Sequence, residues 1–255
     1  MKFFVNEPLY DDVGQVLTRM GQGFEYESAE RYTSVSPRDA VLFLNCGGNV
    51  NSSPSELASF IEKGGTVYAS DMQARFAARM FPSIFECSTV SKEGVFNASI
   101  VDQALMDNLG NSIDLEFDLP FWSFLTPQIG AKTHVYLRSS DKLIIEGQPN
   151  NTGEGAPLVV SYDHPQGGSL FFTAFHNSAQ KTKKEELLRF LLFRPIMSRN
   201  LQDIRKGISE SISIQREYTG GLRKSSPEKT YGLDASSNWK AILSWTGQGK
   251  IALEF

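Results

Sequence analysis

The chain has 255 residues, 40% hydrophobic and 21% charged, with a formal net charge of −4. It is long enough to bury a core without disulfides or metal, as one α/β domain with or without an appendage. The acidic balance gives no reason to expect nucleic acid, and no apolar run approaches the roughly 18 residues that span a bilayer.

The opening MKFFVNEPLYDD turns acidic too soon for a secretory signal. Cys46 and Cys87 form no disulfide framework and no C-x-x-C pair, so both are expected reduced, in a cytoplasmic protein. His134, His164 and His176 are too scattered to suggest a metal cluster, and no cofactor is expected.

In chain order, KFFVN (2–6) reads as a buried strand, and YDDVGQVLTRMG (10–21) carries Val13, Val16, Leu17 and Met20 at helical spacing. FEYESA (24–29) alternates like a strand, and DAVLFLN (39–45) is an apolar strand ending at the Cys46-Gly47-Gly48 turn. A serine cap, an early proline and the closing Gly64-Gly65 pair frame a helix in SSPSELASFIEKGG. TVYAS (66–70) is the next strand, and DMQARFAARM (71–80) an amphipathic helix stopped by Pro82. Such alternation, with strands apolar on both faces, predicts a parallel sheet covered on both sides. Ligands of such sheets bind beyond the carboxyl ends of the strands, so the loops at 46–51, 70–73 and 175–180 are expected to share one edge.

The middle of the chain is less regular. THVYLRSS with DKLIIEG reads as a hairpin, QPNNTGEGAP (148–157) as a loop, and PLVVSYD with GSLFFTAF as a second hairpin. The helix KTKKEELLRFLLFRPI turns Leu187, Leu188, Leu191 and Leu192 to the core. From about residue 205 the texture shifts to short strands with Gly and Ser turns. These predict a domain over 1–200 and a small all-β segment over 206–255, marginal as a separate core.

Several groups could carry chemistry. Gly47-Gly48, with Ser52 and Ser53, could cradle a phosphate, but without a P-loop lysine a plain turn is the favoured reading. Asp114, Glu116 and Asp118 alternate along a strand, as cation ligands or, more commonly, as a solvated face. Phe117, Phe121, Trp122 and Phe124 could stack on a sugar, with core the commoner role.

Taken together, DAVLFLNCGG, the run IEKGGTVYASDMQ and the hairpin PLVVSYDHPQGGSLFFTAFH resemble the class I glutamine amidotransferase-like superfamily, nearest its trehalose-utilisation-type branch. The likeness covers residues 1–196 and implies a flavodoxin-like, mostly parallel sheet with helices on both faces. Active members carry a G-x-C-x-G elbow often followed by Met-Gln. Counting back from Met72-Gln73 puts Ala69 at the nucleophile, Ser70 at the oxyanion-hole N–H and Asp71 at the second glycine. The family histidine, here His176, is followed by Asn177-Ser178 instead of Pro-Glu, and Cys46 falls in the oxyanion loop rather than the elbow.

The resemblance therefore implies a non-catalytic binding or assembly module. Cys46, Gly47, Gly48, Asp71 and Asn177 would face a small-molecule ligand at the strand edge, and the C-terminal β segment would bind a protein partner or a second copy. The alternative is a hydrolase with Ser70 as nucleophile and His176 as base, acting on a small ester, amide or sugar-derived substrate. A carbohydrate-related role rests on the family branch alone.

Overall fold

The computed structural model describes residues 1–26, 29–129, 131–147 and 155–197. These belong to the first of two units, Met1–Glu217; the second, Tyr218–Phe255, and with it the expected β segment over 206–255, lies outside the described residues.

The first half alternates as its apolar periodicity predicts. β1 (Lys2–Val5) leads to α1 (Val13–Arg19), whose first turn is capped by the Asp12 carboxylate accepting from Gln15 N–H. β2 (Glu25–Tyr26) is only two residues long, and α2 (Ala29–Thr33) takes up the end of the strand expected over 24–29. β3 (Ala40–Leu44) is buried at every residue. α3 (Pro54–Glu62) starts with a capping box in which Ser53 and Glu56 satisfy each other's backbone N–H, with proline in the first turn. β4 (Thr66–Ser70) ends in a 3-10 turn, Asp71–Gln73, that feeds α4 (Ala74–Met80).

The second half is mostly antiparallel. β5 (Phe85–Val90), β6 (Gly94–Ile100), α5 (Gln103–Leu109), β7 (Ser112–Phe117), β8 (Trp122–Pro127) and β9 (Thr133–Ser139) precede the predicted hairpin of β10 (Pro157–Asp163) and β11 (Ser169–Thr173). α6 (Lys183–Met197) closes the described chain. The hairpin expected between THVYLRSS and DKLIIEG does not form: β9 pairs with β10 and β6, and Ile145 makes an isolated bridge to Val90.

Among the described residues nine strands make one sheet in the order β2-β1-β3-β4-β11-β10-β9-β6-β7, and β5 and β8 make a separate pair. From β2 to β11 the neighbours run parallel; from β11 to β7 they run antiparallel. β3, β4 and β11 are buried along their whole length, which requires cover on both faces. In-register Phe43, Tyr68 and Phe171 form an aromatic row across these three strands. Phe193 of α6 stacks on Phe43 at 6.0 Å and meets Tyr68 at 5.0 Å between ring centroids, so α6 covers this face. No helix among the described residues is long and apolar enough to cross a membrane.

Candidate functional site

Because β3, β4 and β11 are adjacent and parallel, their carboxyl ends emerge at one edge, as expected from the strand order. The register sets Leu44 beside Ala69 and Ser70 beside Thr173. The residues that follow, Cys46, Asp71 and His176, are all buried. Asp71 has φ 46, left-handed backbone in a non-glycine residue at a sharp strand-to-helix turn. Ala69 is an in-register strand residue, so the strained elbow falls on Asp71, two positions later than the Met72-Gln73 count puts it.

The Asp71 carboxylate is the hub. Its Oδ1 accepts from Ser123 N–H at 2.7 Å; its Oδ2 accepts from the Cys46 thiol at 3.4 Å and lies 3.1 Å from His176 Nε2. On the other side of the ring, His176 Nδ1 lies 2.7 Å from Asp118 Oδ1, in the turn between β7 and β8. Neither ring nitrogen makes an aligned hydrogen bond across these contacts, so they act as charge pairs. Cys46 Sγ, an Asp71 carboxylate oxygen and a His176 ring nitrogen all lie within 4.8 Å of one another, a donor set able to hold a metal ion.

The charges explain the cluster. Burial disfavours the charged imidazole, but Asp118 and then Asp71 outweigh it and push His176 up to about 12. Burial raises the Asp71 carboxyl against the pull of His176. For Asp118 burial also acts upward, and His176 overcomes it, so this carboxyl ends below its usual value. Burial likewise raises the Cys46 thiol, which keeps its proton and donates it to Asp71. The arrangement neutralises a buried cation and holds the Cys46 thiol in its protonated form.

The remaining expected site residues serve the same edge. Ser70 is fully buried and its Oγ accepts from Cys46 N–H at 3.1 Å; the structure forms no hydrogen bond between Ser70 and His176. Gly47 has φ 71, and a Cβ there would fall 2.4 Å from the Tyr10 ring, while Gly48 O accepts from Gln73 Nε2 at 2.9 Å. Ser53 is spent in the α3 cap, and Ser52 Oγ sits 2.5 Å from Tyr32 OH. Asn177 donates to Tyr68 OH and, at 3.3 Å, to Thr173 Oγ1, while its own N–H goes to Asp11. Phe117, Trp122 and Phe124 are core, and Phe121 is half exposed.

Sequence reasoning missed four partners. Asp118 faces His176 where a glutamate two residues on from the histidine was sought; Asn177 and Gln180 make no contact with the ring nitrogens. Asp11 binds the backbone and hydroxyl of Ser178, and Asn45 and Gln73 lace the loops after β1, β3 and β4. For Asn45 and Asp118 the available signal was a polar residue directly after a strand; Asp11 and Gln73 lie farther along their loops and carried none.

A narrow crevice lined by Asp71, Phe117, Asp118, Trp122, Phe175 and His176 lies beside the cluster, with no internal room for even a water molecule. It is smaller than the roughly 300–1,000 Å³ of ordinary ligand pockets.

No protein-family model matches the chain, and no curated protein matches it in sequence. Among solved structures the chain is similar to the N-terminal domain of mmIFT52, at 11% identity over 77% of this chain and 97% of that one, with a TM-score of 0.50. It is also similar to a glutamine amidotransferase from Thermotoga maritima, at 10% identity over 85% of this chain and 92% of that one, with a TM-score of 0.42. At such identities likeness speaks to fold alone.

Proposed function

We propose that the chain is a non-catalytic, amidotransferase-like module whose former catalytic edge has become a structural knot. The observation that carries this reading is the Asp71 elbow. Where an active relative would present a nucleophile, this chain buries a carboxylate engaged by Ser123 N–H, the Cys46 thiol and His176. The edge thereby ties together the loops that follow β3, β4, β7 and β11. Its work is binding or assembly, in a cytoplasmic setting that suits two free thiols. The sequence of residues 206–255 supplies the contact, with Ile242, Leu243, Trp245, Ile251, Leu253 and Phe255 as its apolar residues.

Stability is the readout that separates knot from catalyst. Asp71 and His176 side chains are 2% and 1% exposed, so His176→Ala or Asp71→Ala strands a buried partner. Each is expected to lower unfolding free energy by about 3–5 kcal/mol in urea melts. Catalytic groups behave oppositely, since removing strained active-site residues tends to leave stability unchanged or raised. A fluorophosphonate probe should leave the native chain unlabelled. Labelling that vanishes in Ser70→Ala would reverse the reading in favour of the hydrolase.

A further inference from the structure

We propose that Cys46, Asp71 and His176 form a site for a divalent cation of the zinc class, with Asp118 holding the histidine in place. This inference does not rest on the non-catalytic reading. Thiolate sulfur, imidazole nitrogen and carboxylate oxygen are the donors that zinc takes, and sulfur with imidazole argues against calcium or magnesium.

The spacing fits as well. Zinc bonds of about 2.3 Å to sulfur and about 2.1 Å to nitrogen and oxygen, set tetrahedrally, put N and O about 3.4 Å apart and S and O about 3.6 Å apart. Here His176 Nε2 lies 3.1 Å from Asp71 Oδ2, and Cys46 Sγ lies 3.4 Å from the same oxygen. Small outward shifts would admit the ion.

Two features of His176 point the same way. His176 is 1% exposed, and its Nε2 meets Asp71 Oδ2 at 3.1 Å as a charge pair without an aligned hydrogen bond, so this buried nitrogen has no directional partner to give up to an ion. Its Nδ1 lies 2.7 Å from Asp118 Oδ1, close enough for a small ring rotation to align the carboxylate–histidine pairing that leaves Nε2 to a metal. Binding would release the Cys46 thiol proton and the His176 Nε2 proton to solvent, and the resulting thiolate with the Asp71 carboxylate would balance the two charges of the ion in this buried place. Bound there, the ion would pin the loops after β3, β4 and β11 to one another.

The test uses the full chain, stripped with a chelator and titrated first with Co²⁺ and then with Zn²⁺. One Co²⁺ per chain is expected, with a thiolate-to-cobalt charge-transfer band in the near ultraviolet. Zinc should displace it stoichiometrically and raise the melting temperature. Cys46→Ser should abolish the band, and Cys87→Ser should keep it. Asp118 is 41% exposed, so Asp118→Asn should fold; it should keep the band and weaken affinity about 10–100-fold. A folded native chain that binds no stoichiometric Co²⁺ overturns the proposal, as does a band that survives Cys46→Ser or is lost in Cys87→Ser.

Discussion

A Cβ added at Gly168 would fall 1.9 Å from the carbonyl oxygen of Ile61 and 2.5 Å from that of Gly65. Neither atom can step aside cheaply, since Ser169 N–H donates to Gly65 O at 3.1 Å and holds β11 against the end of α3. Gly168→Ala is therefore expected to lower stability by about 1–3 kcal/mol through overpacking. A fall in urea midpoint at unchanged slope would measure it, and an unmoved midpoint would mean that the turn lifts off α3 freely. HPQGG reads as a turn from sequence alone, but the atoms that demand glycine come from a helix far back in the chain. The same limit applies at the site. Alternation put Asp114, Glu116 and Asp118 in one row, but β7 stops at Phe117 and Asp118 turns to His176 instead. The elbow was misplaced because spacing carries no φ: the 3-10 turn Asp71–Gln73 comes before α4, and only the positive φ of Asp71 marks the bend.

At the scale of elements, patterns that a single segment satisfies by itself were readable. The leucines of α6 are an example: Leu188, Leu191 and Leu192 are buried, as their spacing requires, and Leu187 packs against the core partly buried. Leu188→Asp would put an unpaired charge in that face and is expected to cost several kcal/mol, comparable to the whole stability of a domain. A variant that melts like the parent would place this face of α6 away from the core. Pairings between distant segments were not readable. β9 and the apolar run after it look like a hairpin, yet β9 lies between β10 and β6, and Ile145 reaches Val90. Edge strand β7 shows another non-local device. The Gln180 side chain imitates a neighbouring strand, accepting from Glu116 N–H at 3.1 Å and donating to Glu116 O at 2.9 Å. Lys184 adds a bond to Ser112 O at 2.6 Å. Such cover blunts an edge that would otherwise pair with other chains.

For the whole molecule, the groups that define fold and site lie within residues 1–197. The aromatic row Phe43, Tyr68 and Phe171 is closed by Phe193, and the knot draws only on Cys46, Asp71, Asp118, Ser123 and His176. Cutting after residue 205 leaves every one of these partners in place and keeps α6 intact to Met197. In NWKAILSWTGQGKIALEF, alternation predicts a strand with Ala241, Leu243 and Trp245 on one face and a Thr246-Gly247-Gln248-Gly249 turn that brings the chain back. Two such strands alone are marginal in water, so their apolar face calls for a partner. Deleting 206–255 is accordingly expected to leave a soluble, cooperatively melting core with a similar melting temperature, while light scattering reports a changed state of association. A truncated chain that is insoluble, or that keeps its far-ultraviolet dichroism but loses its cooperative melt, would make the segment an integral layer of the fold. The assembly reading would then lose its contact surface.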